Sequence, residues 1–220
     1  LWALSYPDRY KDFVQTHLEV YKHRGWFGDG IANGQFASGV GTNFIGLTIA
    51  GAYNLGIRDY DVDLAYKAVK ANELEWINRN EGSGKMDTKQ FIERGFVPYA
   101  EGETDSLGSN FSASHTLEYS FSAFAAAQMA KAIGKKDDYQ NLIKRSDGWK
   151  LLFNPENKLI HPKRADGSFI DKFDPYQPWR GFQEGNAIQY TFYIPHNPAG
   201  LIAQMGKTEF NNRLDSVFTV

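Results

Sequence analysis

Apolar residues recur at steps of three and four along much of the chain, and this period predicts amphipathic helices. The first such stretch begins near Tyr6-Pro7-Asp8 and ends at Arg24-Gly25, where a glycine suits a helix C-terminus. Asp61 is a candidate N-cap for a later helix. The same pattern predicts further helices at residues 44–55, 62–76, 119–133, 137–152, 184–193, 198–205 and 208–218.

Two stretches between these helices are rich in glycine and polar residues. Residues 25–41 hold closely spaced glycines, which allow positive φ and a close approach of the backbone to a ligand. Residues 77–114 are polar and contain one extended piece, Val97-Pro98-Tyr99. Both stretches are therefore predicted to be loops.

The helical period breaks after Leu152. Asn154-Pro155-Glu156-Asn157 is a turn sequence, and residues 158–162 have an extended pattern. Asp166-Gly167 is a second turn signal before residues 168–170, which predicts a small β-hairpin. Because strands and helices do not alternate, a parallel sheet is not expected. The pattern predicts a mainly α fold of paired helices, either a bundle or part of an α/α toroid.

Composition narrows the classes of function. With 220 residues, 42% apolar, the chain has the size of one domain with a full core. The net charge of -2 comes without a basic stripe, which argues against nucleic acid as a partner. No apolar run approaches the roughly 18 residues of a membrane helix. The absence of cysteine excludes disulfides and thiolate zinc sites within the chain. Aromatic residues make up 15%, and they suit either a large core or a groove for sugar rings.

Several short motifs resemble known sites but lack essential positions. Asp59-Tyr-Asp61-Val-Asp63 begins like a calcium loop, but Leu64 and Lys70 stand where that loop needs glycine and glutamate. Gly82-Ser-Gly84-Lys85 begins like a phosphate loop, but Met86 replaces the required hydroxyl residue. The five histidines lack the spacing of metal ligands. None of these motifs predicts a site.

The segment from Asp174 to Tyr190 concentrates polar chemistry around one carboxylate. Trp179 offers a ring for stacking on a sugar, Arg180 offers charged hydrogen bonds, and Asn186 and Gln189 offer amides. Glu184 is predicted to lie where a loop enters a helix, facing the same cavity as the two amides. A second interpretation makes Glu184 a first-turn acid that the helix dipole stabilises and that Arg180 pairs with.

A second cluster is Ser114-His115-Thr116-Leu117-Glu118-Tyr119. In one interpretation the glutamate and the hydroxyl residues before it form a helix capping box. In the other, His115 or Glu118 reaches the cavity from the start of the helix. The residues alone leave both interpretations open.

These segments together resemble glycoside hydrolase family 92, the exo-acting α-mannosidases, nearly from end to end. Their order and spacing carry the resemblance more than any single piece does. The matching pieces are Gly25-Trp-Phe, Gly56-Ile-Arg-Asp-Tyr-Asp-Val, His115-Thr-Leu-Glu-Tyr-Ser, Gly134-Lys-Lys-Asp-Asp-Tyr, Leu152-Phe-Asn-Pro-Glu, Arg164-Ala-Asp-Gly-Ser-Phe-Ile, the run from Phe182 to His196, and Gly200-Leu-Ile.

The resemblance implies an inverting hydrolase that acts on mannose-containing glycans, with a preference for α-1,2 linkages. It implies that Glu184, the glutamate of the Glu-Gly-Asn motif, is the general acid. It also implies a calcium ion that bridges mannose hydroxyls, and export to the periplasm or the cell exterior. Trp179, Arg180, Asn186, Gln189, Asn43, His115 and Glu118 are the candidate substrate-binding residues.

The resemblance further implies that residues 1–220 are one segment of an (α/α)6 catalytic domain. A β-sandwich is expected upstream, and the general base and main calcium ligands are expected downstream, so the segment's partners include the rest of its own domain. Within the chain only Glu118, Asp171 and Asp174 are candidates for the base, and all are poor ones. The isolated chain is therefore expected to be inactive.

One departure from the family bears on specificity. Gly41-Thr42-Asn43 stands where the family often has a Gly-Asp-His sequence, so the resemblance leaves the sugar contacts at Asn43 and the linkage preference open. Two other classes of function stay open. One is another α/α-toroid enzyme on polysaccharides such as a lyase, although the near-neutral charge does not suit uronate substrates. The other is a non-catalytic relative that binds glycans or acts as a scaffold.

Overall fold

The computed structural model describes residues 2–32, 35–37, 42–79, 82–101 and 108–219, with the backbone alone at residues 31, 32 and 35–37. The described residues fold mainly as helices, as the apolar pattern predicted. The helices are α1 (Trp2–Ser5), α2 (Pro7–Arg24), α3 (Ile45–Asn54), α4 (Val62–Leu74), α5 (Thr88–Arg94), α6 (Ser112–Ala132), α7 (Lys136–Arg145), α8 (Trp149–Leu152), α9 (Ala187–Tyr190), α10 (Pro198–Met205) and α11 (Lys207–Phe218). The strands are β1 (Gly30–Ala32), β2 (Gln35–Ala37), β3 (Phe153–Asn154) and β4 (Leu159–Ile160).

Contacts divide the chain into two compact units. The first unit comprises Leu1–Lys89 and Ser122–Ser146, and the second comprises Gln90–Phe121 and Asp147–Val220. Helix α6 contributes residues to both units. Among the described residues, no helix combines the length and apolarity that crossing a membrane requires.

The first unit packs the apolar faces of α2, α3, α4, the later part of α6 and α7 into one core. Local signals set several helix ends as predicted. Asp61 accepts a hydrogen bond from the Leu64 amide at 2.9 Å and caps α4. Gly25 ends α2 in the left-handed conformation with φ of 76°, and its amide bonds the Tyr21 carbonyl.

A buried ion pair lies inside the first unit. The Lys85 ammonium pairs with the Glu73 carboxylate, and both side chains are 2% exposed. Ser122 joins them, since it accepts from Lys85 at 2.6 Å and donates to Glu73 at 2.9 Å. Burial lowers the pKa of Lys85 to about 8, although Glu73 opposes that shift. The lysine is thus enclosed in the core of the first unit.

The second unit, which carries most of the candidate site residues, has its own core. Trp149, Phe182 and Leu117 are completely buried there and pack with residues of α8, α9 and α10. Asn197 caps α10 by accepting a bond from the Gly200 amide at 2.9 Å, and α10 has the predicted bounds.

Four expectations were wrong. The loop predicted at residues 25–41 contains the strands β1 and β2. The loop predicted at residues 77–114 contains α5 and the start of α6, which begins seven residues before the predicted Tyr119. The helix predicted at residues 137–152 is two helices, α7 and α8. The helix predicted from Glu184 is the single turn α9, which begins at Ala187.

The hairpin also differs in detail from its prediction. Strands β3 and β4 pair antiparallel around the first turn, with Phe153 opposite Ile160. The second turn, at Asp166-Gly167, is flanked by one bridge between Lys163 and Phe169 and not by a second strand pair. The turn signals were therefore correct, but the pairing lies one turn earlier in the chain.

The surroundings of His161 predict that the stability of the second unit depends on pH. Its Nε2 bonds the Ile170 carbonyl at 3.0 Å, and its ring stacks on Phe173 with centroids 3.9 Å apart. Burial lowers the pKa of His161, the Ile170 hydrogen bond opposes this shift, and the positive charges of Arg180 and Lys163 add to it more weakly. Because the folded state prefers the neutral ring, this stability is complete above the unfolded pKa of about 6.5 and is lost as pH falls below it.

We expect the Tm of the wild-type protein to fall when the pH is lowered from 8 to 5.5. The fall should be smaller in His161→Gln, because glutamine does not titrate. Thermal melts of both proteins at the two pH values measure the difference. His23→Gln, at an exposed position of α2, is the control and should behave as the wild type. Equal pH responses of the wild type and His161→Gln would show that His161 does not carry the dependence.

Candidate active site

Glu184 lies in an exposed turn of the second unit and not in a helix. Its backbone has φ of 55°, in the left-handed region that a glutamate rarely adopts. The side chain is exposed, and α9 begins three residues later at Ala187. The interpretation of Glu184 as a first-turn helix acid is therefore wrong.

Hydrogen bonds hold the residue before Glu184 on both sides. The Gln183 amide donates to Ser114 Oγ at 3.1 Å, and the Tyr190 hydroxyl donates to the Gln183 carbonyl at 2.7 Å. Ser114 belongs to α6 and Tyr190 ends α9, so two helices set the course of the chain into Glu184.

The residue after Glu184 is fixed by packing. A Cβ on Gly185 would come within 2.8 Å of the Tyr190 ring and within 3.0 Å of Gln189 Oε1. The Gly185 carbonyl also accepts a bond from the Trp179 amide at 3.2 Å. The Glu-Gly order of the motif thus reflects a position where only glycine fits.

Trp179 presents an aromatic surface next to this turn. Its side chain is 48% exposed, and its backbone has φ of 65°. The Asn110 amide donates to the Trp179 carbonyl at 2.9 Å, and the ring meets Phe111 edge-on with centroids 5.9 Å apart. An exposed ring held in this way can stack on the apolar face of a sugar.

Asn186 and Gln189 bond each other across the start of α9. Asn186 Oδ1 accepts from the Gln189 amide at 3.2 Å, and Gln189 Oε1 accepts from the Asn186 amide at 3.1 Å. This is a capping box, which fixes the orientation of the helical turn that follows Glu184. Whether these side chains also contact a sugar stays a prediction.

Arg180 does not pair with Glu184. Its two terminal nitrogens donate to the Lys172 carbonyl at 2.7 Å and the Asp171 carbonyl at 3.0 Å. The pairing that accompanied the first-turn interpretation is therefore also wrong. Arg180 ties the loop before the Glu184 turn to residues 171–172, and a contact with substrate stays a prediction.

The capping box proposed at residues 114–118 does not form, because α6 already begins at Ser112. Ser114 Oγ donates to the Phe111 carbonyl at 2.9 Å. His115 is 1% exposed and stacks on Tyr119 with centroids 5.7 Å apart. The His115 ring is therefore buried within the second unit. A direct contact of His115 with substrate stays a prediction.

Glu118 lies close to two phenols of the second unit. Burial first, and then the charge of Glu118, raise the pKa of Tyr190 and of Tyr193 to about 12 each. Glu184 contributes to the shift at Tyr190 as well. Two carboxylates, Glu118 and Glu184, thus share the neighbourhood of the Tyr190 hydroxyl.

Asn43 lies in the first unit and is completely buried. Its amide nitrogen donates to the carbonyls of Phe27 and Ser83, and its Oδ1 accepts from the Ile45 amide at 3.2 Å. These bonds shape the start of α3. A sugar contact of Asn43 stays a prediction.

The family of the chain follows from comparison with known proteins. A family model described as the glycosyl hydrolase family 92 catalytic domain matches residues 1–220. The chain belongs to glycosyl hydrolase family 92. The resemblance seen in the sequence is therefore confirmed over its whole length.

Relatives of this family 92 chain include both sequences and structures. An uncharacterized secreted glycosidase from Arthroderma benhamiae is 29% identical, and the match covers 98% of this chain and 31% of that protein. A family 92 alpha-mannosidase from Bacteroides thetaiotaomicron superposes with a TM-score of 0.88 at 27% identity, covering 100% of this chain and 28% of that one. The same alpha-mannosidase has also been solved in complex with mannoimidazole, with a TM-score of 0.87.

A family 92 inverting mannosidase from the same bacterium also has a TM-score of 0.88, at 25% identity, covering 98% of this chain and 28% of that one. These likenesses confirm the predicted fold class, a mainly α chain with helix pairs of an α/α toroid. The chain spans less than a third of the length of these relatives.

The other carboxylates named for this family 92 chain are engaged locally. Asp171 pairs with Arg164 at 3.1 Å, and Asp174 accepts a bond from the Tyr176 amide at 2.9 Å. Across the part of the chain that the structure describes, no group of three or more histidine, aspartate or glutamate side chains could hold a metal ion.

Sequence reasoning missed the roles of Ser114 and Tyr190. Both residues lay inside the segments singled out, but the hydrogen bond between Ser114 and Gln183 spans 69 positions. Neither periodicity nor motif spacing carries information on such a contact. The only local indication of a role for Tyr190 was its position at the end of the segment that contains Glu184.

Proposed function

We propose that the protein containing this chain is an exo-acting, inverting α-mannosidase, with a preference for α-1,2-linked mannose and with Glu184 as its general acid. The observation that carries the proposal is an exposed carboxylate held in a left-handed turn beside an exposed tryptophan. Rare backbone conformations persist where the surroundings enforce them, and they concentrate at functional sites. The mannosidase names of two structural relatives support the choice of sugar.

In this mechanism Glu184 gives its proton to the glycosidic oxygen as the bond from that oxygen to the anomeric carbon breaks. A water attacks the opposite face of the sugar and gives its proton to a second carboxylate, so the configuration inverts. The two carboxyl groups of such enzymes stand about 6.5–9.5 Å apart. As the family resemblance implies, we propose that the base comes from the part of the protein outside this chain. Asp171 and Asp174 are engaged in local contacts, and Glu118 is proposed to bind the substrate.

The substrate is proposed to meet the turn through stacking and hydrogen bonds. The Trp179 ring offers a flat apolar surface for the C–H face of mannose. Glu118, half-buried near Tyr190, is proposed to accept a hydrogen bond from a sugar hydroxyl. Export to the periplasm or the cell exterior is proposed because the fungal relative's description includes secretion.

The experiment that tests the function follows α-mannobiose hydrolysis by the full-length protein with proton NMR. We expect mannose to appear first as the β-anomer and to mutarotate afterwards. The α-1,2 disaccharide should react faster than its α-1,3 and α-1,6 isomers. Appearance of the α-anomer first would contradict inversion. Binding of the disaccharide without release of mannose would favour a non-catalytic glycan-binding protein.

A calcium requirement is a second part of the proposal. Calcium prefers oxygen ligands, and we propose that these come from outside the described residues, which offer no cluster of their own. We expect a chelator to abolish mannose release and added calcium to restore it, as measured by the initial rate. Full activity after extensive chelation and dialysis would show that no such ion is needed.

A further inference from the structure

The peptide units around Gln183 are held by two side chains from outside the turn. These are Ser114 of α6 and Tyr190 of α9. Ser114 Oγ receives the Gln183 amide at 3.1 Å, and the Tyr190 hydroxyl reaches the Gln183 carbonyl at 2.7 Å. Because both bonds go to the backbone of the residue before Glu184, they set the direction in which the chain enters Glu184.

Tyr190 also supports the far side of the turn. A Cβ on Gly185 would lie 2.8 Å from Tyr190 Cε2 and 3.2 Å from Cδ2, so the ring packs directly against the Gly185 Cα. One tyrosine therefore contacts the residues before and after Glu184. Its own ring is held against Phe182, with centroids 5.5 Å apart.

The turn needs such support. Glu184 has φ of 55°, which glycine adopts freely but a residue with a side chain adopts only when its surroundings hold it there. Loss of a supporting bond should let the turn sample extended conformations, in which the carboxyl group points elsewhere. The Tyr190 phenol is protonated at neutral pH even at its ordinary pKa of about 10. Burial first, and then the charges of Glu118 and Glu184, raise this pKa further, to about 12.

We propose that Tyr190 is a positioning residue for the general acid, acting on Glu184 through the Gln183 carbonyl and not through the substrate. Ser114 supports the same peptide from the other side. This inference rests on the proposed function, since it assumes that Glu184 donates a proton. In this proposal the Tyr190 hydroxyl positions the carboxyl group that donates the proton. The Tyr190 ring maintains the conformation of the turn by packing against Gly185.

The test is the leaving-group dependence of Tyr190→Phe in the full-length protein. A dinitrophenyl α-mannoside loses a stable phenolate that needs no proton, whereas the sugar leaving group of α-mannobiose needs one. We expect Tyr190→Phe to lower kcat on α-mannobiose about tenfold and to change kcat on the dinitrophenyl substrate by less than about threefold. KM should stay within about twofold on both, since uniform binding is unchanged.

Tyr193→Phe is the matched control, because it removes the same hydroxyl from a half-buried neighbour that packs on Tyr190 with centroids 6.2 Å apart. No hydrogen bond from Tyr193 to residues 182–185 is found among the described residues, so its ratio of the two kcat values should equal that of the wild type. Ser114→Ala should shift the ratio in the same direction as Tyr190→Phe. Melting curves of all variants test whether they are folded.

Failure of this inference is distinguishable from failure of the proposed function. An equal loss on both substrates in Tyr190→Phe would show a merely structural role and would overturn the positioning role. So would an unchanged kcat on α-mannobiose. In either case Glu184→Gln would still lose activity on α-mannobiose if the proposed function holds. If Glu184→Gln itself keeps full activity on α-mannobiose, both proposals are wrong.

Discussion

Replacement of Glu184 with glutamine is expected to lower kcat on α-mannobiose by about 10²–10⁴-fold, the usual contribution of general acid–base catalysis. Glutamine has nearly the same shape as glutamate, but its amide cannot donate a proton to the leaving oxygen. Because the side chain is exposed and the turn is held through its backbone, the variant should fold normally. The initial rate of mannose release by the full-length protein measures the effect.

Glu156→Gln is the matched control for this prediction. Glu156 is exposed in the turn between β3 and β4, and its backbone amide, not its carboxylate, bonds Asn154. The same chemical change there should leave kcat within about twofold of the wild type. Full activity of Glu184→Gln would mean that the carboxylate has no role in proton transfer. A similar loss in both variants would point to a nonspecific effect of the substitution.

Gly181→Ala is expected to destabilise the protein by about 3 kcal/mol or more, through two separate effects. Gly181 has φ of 89°, where an L-residue costs about 1–2 kcal/mol. A Cβ there would also lie 2.2 Å from Pro162 Cγ, and the proline ring has little freedom to move. The Gly181 carbonyl accepts the amides of Ala113 and Ser114, so any shift would disturb the start of α6.

Gly167→Ala separates the two effects. Gly167 has nearly the same φ, 88°, but a Cβ there would meet no atom within 4 Å. We expect this control to lose only the conformational part, about 1–2 kcal/mol. Thermal melts and the soluble yield of both variants measure the difference. Equal Tm values would show that residues around Pro162 absorb the added carbon, contrary to the contact described.

Local chemistry predicted those elements whose ends are set by their own residues. The Asp61 carboxylate caps α4 with the amide of Leu64, three positions later, and the Asn197 side chain does the same for α10. Gly25 ends α2 because its left-handed conformation costs glycine little. In each case the deciding contact spans only a few positions, so a pattern in the sequence could reveal it.

Elements fixed by distant contacts were misjudged. Helix α6 starts early because Gly181 accepts the amides of Ala113 and Ser114, nearly seventy positions away in sequence. The hydroxyls of Thr116 and Ser120 are accommodated within the helix, since each donates to the carbonyl four residues before it at 2.7 Å. Propensity alone disfavours a helix in such a serine-rich stretch.

The candidate site shows the same division. The motif singled out Glu184 and Trp179, and both are exposed in the structure, while their roles stay predictions. The residues around Glu184 were expected to start a helix, but they form a turn. The left-handed φ of Glu184 depends on contacts with Ser114 and Tyr190, which the motif itself does not reveal. The spacing of Asn186 and Gln189 is that of a capping box, which the structure contains. From the sequence, these two residues were considered only as ligands of the substrate.

The central claim is that Glu184 donates the proton to the departing sugar. The most direct test compares kcat/KM for a dinitrophenyl α-mannoside and for α-mannobiose in the wild type and in Glu184→Gln. Because the phenolate needs no proton, the account predicts that the ratio of the two values rises by about 100-fold or more in the variant. A ratio that stays at the wild-type value, whatever the absolute rates, would contradict the assignment of Glu184 as the general acid.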